Sequence, residues 1–430
     1  MTIPAVDATL SGRLSLRNLL KSVGRNSGAL TLTGASTKLA TFVVLILANR
    51  ALSHEQFGAY ALVLATAEII RVVAAFGVDQ VSLRALAREP AQQAHILSNT
   101  LALKTLSSAA ATVLFAGAAW YLRFTPEMWV GFGLLAADFF LGSAVLSLVT
   151  FHQANVRADR AVPGVLAGAA ANVVFGGGAF LLHAPMPAFL ASVPVGNAVA
   201  LASLWLLTRR WVNPSARLAS RASLRQLARS AWPLAIAGVM ILLYFRIGTL
   251  LLAKLSGLSA VASYTPAYKL SEAFLLVPAA LTGTTLPLLA GTLRDGPSRA
   301  GAAAFRSVMS LAVAISVPFG IGCTVFGQFV LVHVFGPSYA GSAFALAVLG
   351  WATVFMALNQ QSGNALLALD REQLIMWVTV VNLAVNITTN LLLIPRFSYN
   401  GAAMATFITE AVNFAMLGFL VMYFLRRPHE

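Results

Sequence analysis

Five positive side chains stand in runs otherwise suited to lipid: Lys38, Arg71, Lys104, Arg246 and Lys269. Arg246 is the most isolated, set in "ILLYFRIGTLLLA" at residues 241–253. Placing such a residue at the centre of a spanning helix costs roughly 2.5–3.5 kcal/mol, so each must face a counterion, water or a ligand. Glu68 lies three residues before Arg71 and Glu272 three after Lys269. That spacing puts each acid on its partner's helix face, where an ion pair would hold the bundle together. Arg246 and Lys38 have no acid within a turn, and Asp138 and Glu410 have no basic residue within one. An unpaired cationic cavity attracts phosphate or diphosphate, whose oxygens a guanidinium grips in bidentate fashion. Arg246 and Lys38 are therefore candidate substrate contacts, with Lys269 and Arg71 as further candidates among the same intramembrane cations. Asn382, Asn386 and Asn390 repeat every four residues, and "NQQSGN" occupies 359–364. Their amides suit either sugar hydroxyls along a hydrated path, Asn386 foremost, or hydrogen bonds between helices.

The elements that must position these residues follow from composition. The chain has 430 residues, of which 58% are hydrophobic and 10% charged, and its mean hydropathy is +0.80. These values describe an all-α integral membrane protein rather than a soluble domain. With about 20 apolar residues per crossing, twelve transmembrane helices are predicted: 29–49, 57–78, 94–122, 127–152, 161–183, 187–208, 232–253, 259–290, 303–333, 340–367, 373–394 and 401–425. A cytoplasmic segment 1–28 precedes an N-lobe at 29–208. A basic linker helix at 209–231 then joins it to a C-lobe at 232–427. Arg217, Arg221, Arg225 and Arg229 recur every four residues in that linker, which stacks them on one face suited to anionic headgroups.

The net charge of +15 does not point to nucleic acid, because it follows the positive-inside rule. With a cytoplasmic amino terminus, twenty Lys and Arg fall inside, from Arg13 through Arg294 to Arg427, against Arg50, Arg123, Lys254 and Arg396 outside. Both termini are then cytoplasmic. The two halves also match at fixed offsets. At 204 residues Arg50 meets Lys254, Tyr60 meets Tyr264 and Glu68 meets Glu272; at 211, Asp159–Arg160 meets Asp370–Arg371. Six helices per copy make the repeats parallel, related by a pseudo-two-fold axis along the membrane normal, with a site expected between them near the midplane.

Several chemistries are unsupported. A Walker lysine loop, HExxH, a Cys/His cluster and a nucleophile elbow are all missing from the sequence, so no cofactor, metal or catalytic residue is predicted and the chain is not expected to be an enzyme. Cys323 is the single cysteine and excludes an intrachain disulfide. The first 28 residues lack a compact apolar core with a cleavage site, the mark of a signal peptide.

The stretch "NLAVNITTNLLLIPRFSYNGAAMATFITEA" at 382–411 resembles the polysaccharide flippases of the multidrug/oligosaccharidyl-lipid/polysaccharide exporter superfamily, with Asn-rich, Leu-Ile-Pro and Gly-Ala-Ala segments in order. "LANRALSHEQFGAYALVLATAEIIRVVAAFGVDQVSLRALARE" near the amino terminus is similar to that family's first helical hairpin. The resemblance implies two six-helix lobes around a V-shaped cationic cavity. It implies, too, that a lipid diphosphate-linked oligosaccharide is turned over to the outer face of a bacterial plasma membrane for O-antigen, capsule or exopolysaccharide assembly. Lys38, Arg246 and Lys269 would contact the headgroup, Glu68, Glu272, Asp138 and Glu410 would be the candidates for the ion coupling found in parts of that superfamily, and membrane lipids, a polysaccharide polymerase and other assembly proteins are the expected partners. A drug or cation antiporter of the same superfamily shares the fold but favours an acidic cavity. A major facilitator sugar transporter also has twelve spans, but its Gly-x-x-x-Asp-Arg-x-Gly-Arg signature is replaced by "VSLRALAREP".

Overall fold

The computed structural model describes residues 16–293 and 298–426. Arg13, Arg294, Arg427 and the first fifteen residues of the expected amino-terminal segment lie outside the described residues. Among the described residues there are thirteen α-helices: α1 (Leu16–Ala51), α2 (His54–Ala75), α3 (Val78–Arg88), α4 (Gln93–Tyr121), α5 (Pro126–Ala154), α6 (Val162–Leu181), α7 (Met186–Thr208), α8 (Arg221–Ser256), α9 (Leu258–Phe274), α10 (Leu276–Leu293), α11 (Arg299–Phe335), α12 (Ala343–Ala368) and α13 (Glu372–Arg426). No strand occurs among the described residues.

Ten segments among these residues are long and apolar enough to cross a membrane. The last covers 54 residues and holds both of the final predicted spans, because α13 bends at Ser398 (φ 51, ψ −131). The predicted eighth span is present as α9 and α10, broken at Leu275. Together these account for the twelve predicted crossings, and the chain is a multi-pass membrane protein. Its exterior agrees: Trp120, Val113, Val174 and Leu182 are all more than 70% exposed, while Asn99, Lys104, Asp138, Asn390 and Glu410 are buried.

Local chemistry sets the helix ends. Arg123, Val156, His183 and Asp370 follow α4, α5, α6 and α12 with φ between 50° and 56°. In each case the next N–H bonds back to a carbonyl five residues earlier, as Phe124 does to Ala119 and Arg371 to Leu366. These are Schellman closures built without glycine, each accepting some left-handed strain in order to satisfy the last carbonyls. At the start of α11, the Ser298 side chain caps the helix by accepting from the Gly301 N–H at 2.9 Å.

The helices form two compact units. One holds the chain up to Ser53 together with Val63–Leu243, the other His54–Leu62 together with Tyr244 onward, so the division passes within α2 and α8. In the first unit Leu86, Leu97, Leu148, Phe151, Val165 and Leu204 form an apolar cluster joining α3 to α7. Small residues bring α6 and α7 together, since a Cβ on Gly168 would lie 2.6 Å from the Gly196 carbonyl oxygen and 2.7 Å from Ala200 Cβ. In the second unit Leu289, Phe305, Val308, Leu366, Val378 and Leu417 tie α10 to α13.

The basic stretch does not make a separate helix. Arg221, Arg225 and Arg229 occupy the opening turns of α8, the helix that later carries Arg246. Leu224, Leu227 and Ala231 cluster with Val78 of α3 and Leu103 of α4, while Arg217, Arg221, Arg225 and Arg229 are exposed. Its apolar face is thus taken by protein and its cationic face is left outward. At Gly77 (φ 64) a Cβ would lie 2.9 Å from the Ala235 backbone nitrogen of α8, so only glycine fits the turn between α2 and α3.

Candidate functional site

In the second unit α8 contributes Arg246 and α9 contributes Tyr268, Lys269 and Glu272. The Arg246 side chain is 6% exposed, and its Nη2 donates to Glu272 Oε1 at 2.7 Å. Lys269 Nζ lies 3.0 Å from Glu272 Oε2, the pairing expected from their spacing. Arg246 Cζ also sits 5.1 Å from the centre of the Tyr268 ring, whose hydroxyl donates to the Phe245 carbonyl at 2.9 Å. The expectation that Arg246 lacks a protein counterion is therefore corrected. Glu272 reaches it from a neighbouring helix, a contact that spacing along one helix cannot reveal. Two cations nevertheless share this one carboxylate, leaving the triad with a formal charge of +1.

Below this triad in sequence, α12 and α13 supply a second polar cluster. Glu410 is 2% exposed and accepts from Tyr244 Oη at 2.6 Å and from Asn359 Nδ2 at 2.8 Å. No basic side chain forms an ion pair with it among the described residues. Asn382, Asn386 and Asn390 are all buried. Asn390 Nδ2 donates to the Asn386 carbonyl at 2.8 Å and to its Oδ1 at 3.1 Å, and Asn386 Nδ2 lies 3.5 Å from Thr409 Oγ1. The amide ladder thus bonds along α13, and Thr409 brings its second arm to the first.

The first unit contains further ion pairs. Arg71 Nη2 of α2 meets Asp138 Oδ2 of α5 at 2.8 Å, and Asn197 Nδ2 of α7 donates to Asp138 Oδ1 at 2.6 Å. Asp138 is fully buried, whereas the Arg71 side chain is 39% exposed. Glu68 is half-buried one turn before Arg71 on α2. Lys104 of α4, fully buried, pairs with Asp79 of α3 and donates to the Ser143 carbonyl at 3.3 Å. Lys38 is on the exposed face of α1.

Arg246, Lys269 and Glu272 are thus brought together, as are Arg71 and Asp138, while Glu410 forms a separate cluster. Sequence reasoning missed Asp79, Asn197, Tyr244 and Tyr268. Asp79 carried the clearest signal, being an acid just beyond the second span, but its partner Lys104 comes from the next long helix.

A family model described as polysaccharide biosynthesis protein matches residues 23–292. The chain belongs to this family. Among curated relatives, a probable low-salt glycan biosynthesis flippase of Haloferax volcanii, Agl15, is 24% identical over 155 residues. That match covers 36% of this chain and only 33% of the relative's own length. Among solved structures, an inward-facing multidrug resistance transporter of the MATE family superposes with a TM-score of 0.75 at 14% identity, over 93% of this chain and all of that one. The lipid II flippase MurJ, in an inward closed conformation, gives 0.69 at 11% identity, over 91% and 87% of the two chains. These likenesses establish for the family member described here a fold common to both kinds of transporter.

Proposed function

We propose that this chain translocates a diphosphate-linked lipid oligosaccharide from the cytoplasmic to the outer leaflet of a bacterial plasma membrane, for O-antigen, capsule or exopolysaccharide assembly. The observation that carries this reading is the Arg246–Glu272–Lys269 triad, which holds two cations on one acid within the apolar part of the chain. Glu272 keeps both cations solvated by protein while no guest is present. An arriving diphosphate competes with it for the guanidinium and the ammonium, so the cost of burying charge becomes selectivity for an anion. Membership in a polysaccharide biosynthesis family, the name of the Haloferax relative and the MurJ fold support the same class of cargo. Lys38 and the partly exposed Arg71 are the first unit's candidate contacts, and Asn386 is the candidate for a sugar hydroxyl.

Movement would follow alternating access, with membrane lipids around the chain and a polysaccharide polymerase and other assembly proteins receiving the product. No covalent step is assigned to any residue. Among the four acids considered for ion coupling, Glu410 is the best placed, because Asp138 and Glu272 are tied to arginine while Glu410 is held by neutral donors. That acid and the MATE likeness also support a second reading, a multidrug or cation antiporter.

Purified protein in liposomes separates the two. Arg246→Ala should weaken binding of a diphosphate-linked glycolipid by about 10- to 100-fold, the value of a charge-assisted hydrogen bond, and stop its translocation. Glu410→Gln should preserve binding while removing any response to an imposed proton or sodium gradient. Normal glycolipid movement by a folded Arg246→Ala protein, or gradient-driven efflux of a cationic drug without glycolipid movement, overturns the flippase reading.

A further inference from the structure

The first unit has a cavity of about 480 Å3 at the basic end of α6 and α7, lined by Arg160, Pro163, Gly164, Ser203, Leu204 and Leu207. Its volume is within the roughly 300–1,000 Å3 of small-molecule sites. Most of its wall is hydrocarbon, and Arg160 is the one charged lining residue among the described residues. The charge pattern puts the cavity at a membrane boundary, because α6 begins there just after Arg160 and α7 ends there just before Arg209 and Arg210.

Beside it the guanidiniums of Arg157 and Arg160 lie 4.6 and 4.3 Å from the ring centre of Trp211. An indole in contact with both cations helps to fix where they point, since each is attracted to the ring's π density. Neither is joined to a carboxylate by an ion pair among the described residues. Among the described residues that flank the lining segments in sequence, Arg157, Arg160, Arg209 and Arg210 outnumber Asp159 by three. Apolar walls, an oriented guanidinium in the lining and a local excess of arginine are complementary to an occupant with an acyl chain and a phosphate.

We infer that this cavity is a binding site for an anionic phospholipid of the surrounding bilayer, its phosphate on Arg160 and its chain along Pro163, Leu204 and Leu207. A guanidinium grips a phosphate through two parallel N–H donors, and an anionic headgroup neutralises the neighbouring arginines where a zwitterionic one does not. The site belongs to one unit and uses none of the residues assigned to cargo, so it stands or falls apart from the transport reading.

The test is lipid binding by the full-length protein in detergent, read by native mass spectrometry during titration with phosphatidylglycerol or phosphatidylcholine. Wild-type protein should hold phosphatidylglycerol at least tenfold more tightly. Arg160→Gln should remove most of that preference. Ser203→Phe leaves every charge in place but fills the cavity, and should lower the affinity by a similar factor, so that loss of a charge and loss of the space are read separately. Circular dichroism and melting of both variants check that they fold. Equal retention of the two lipids by wild-type protein, or unchanged phosphatidylglycerol binding in both folded variants, overturns the inference. Displacement of the bound lipid by a diphosphate-linked glycolipid but not by excess phosphatidylglycerol would assign the cavity to cargo and overturn it as well.

Discussion

At the scale of single residues, the buried charges divide by what surrounds them. Lys104 is fully buried and its half-buried partner Asp79 comes from the preceding helix, so the ammonium has no water to fall back on. Removing one member of such a pair leaves an uncompensated charge, which is far costlier than replacing both with apolar groups. Lys104→Ala should therefore destabilise the protein by roughly 3 kcal/mol, whereas Lys104→Met with Asp79→Leu should recover most of that loss. Thermal melting in detergent checks both; a double variant no more stable than the single one would show that the pair does more than neutralise itself. Arg246 differs because it shares its acid with Lys269, and it is this surplus of positive charge that the proposed function assigns to an anionic cargo.

At the scale of elements, helix contacts rest on how closely backbones approach, since lipid tails are as apolar as leucine and supply no hydrophobic drive between helices. Gly168 faces the Gly196 carbonyl, so a larger side chain there must push α6 and α7 apart, while Gly177 on the same helix faces open space. Gly168→Leu should cost about 1–3 kcal/mol of stability, and Gly177→Leu should be tolerated. A melting series on the two variants tests this, and equal effects would refute the close-packing account. The two halves also echo one another at this scale. Arg160 and Arg371, which match at the 211-residue offset, lie 4.3 Å over Trp211 and 4.8 Å over Phe424.

At the scale of the whole molecule, the charge distribution predicts the orientation in the membrane. Arg225 is on the exposed basic face of α8, and Glu127 is exposed at the opposite end of α5 from Arg157. Cys323 is buried, so it offers little background to thiol labelling. In intact cells an impermeant maleimide should label Glu127→Cys and spare Arg225→Cys until the membrane is opened. The reverse pattern would overturn the positive-inside assignment.

The residue order alone determined the number of apolar crossings, the all-helical class and the Lys269–Glu272 pair, because hydropathy over about 20 residues and a spacing of three are local quantities. Only the tertiary structure decided that Arg246 meets Glu272, that Arg71 meets Asp138 and that Asp79 neutralises Lys104. It also decided that the apolar side of the basic stretch packs on α3 and α4. Those partners come from different helices, and which helix faces which depends on the close fit of small residues and the direction of each turn, which no periodicity within one helix encodes.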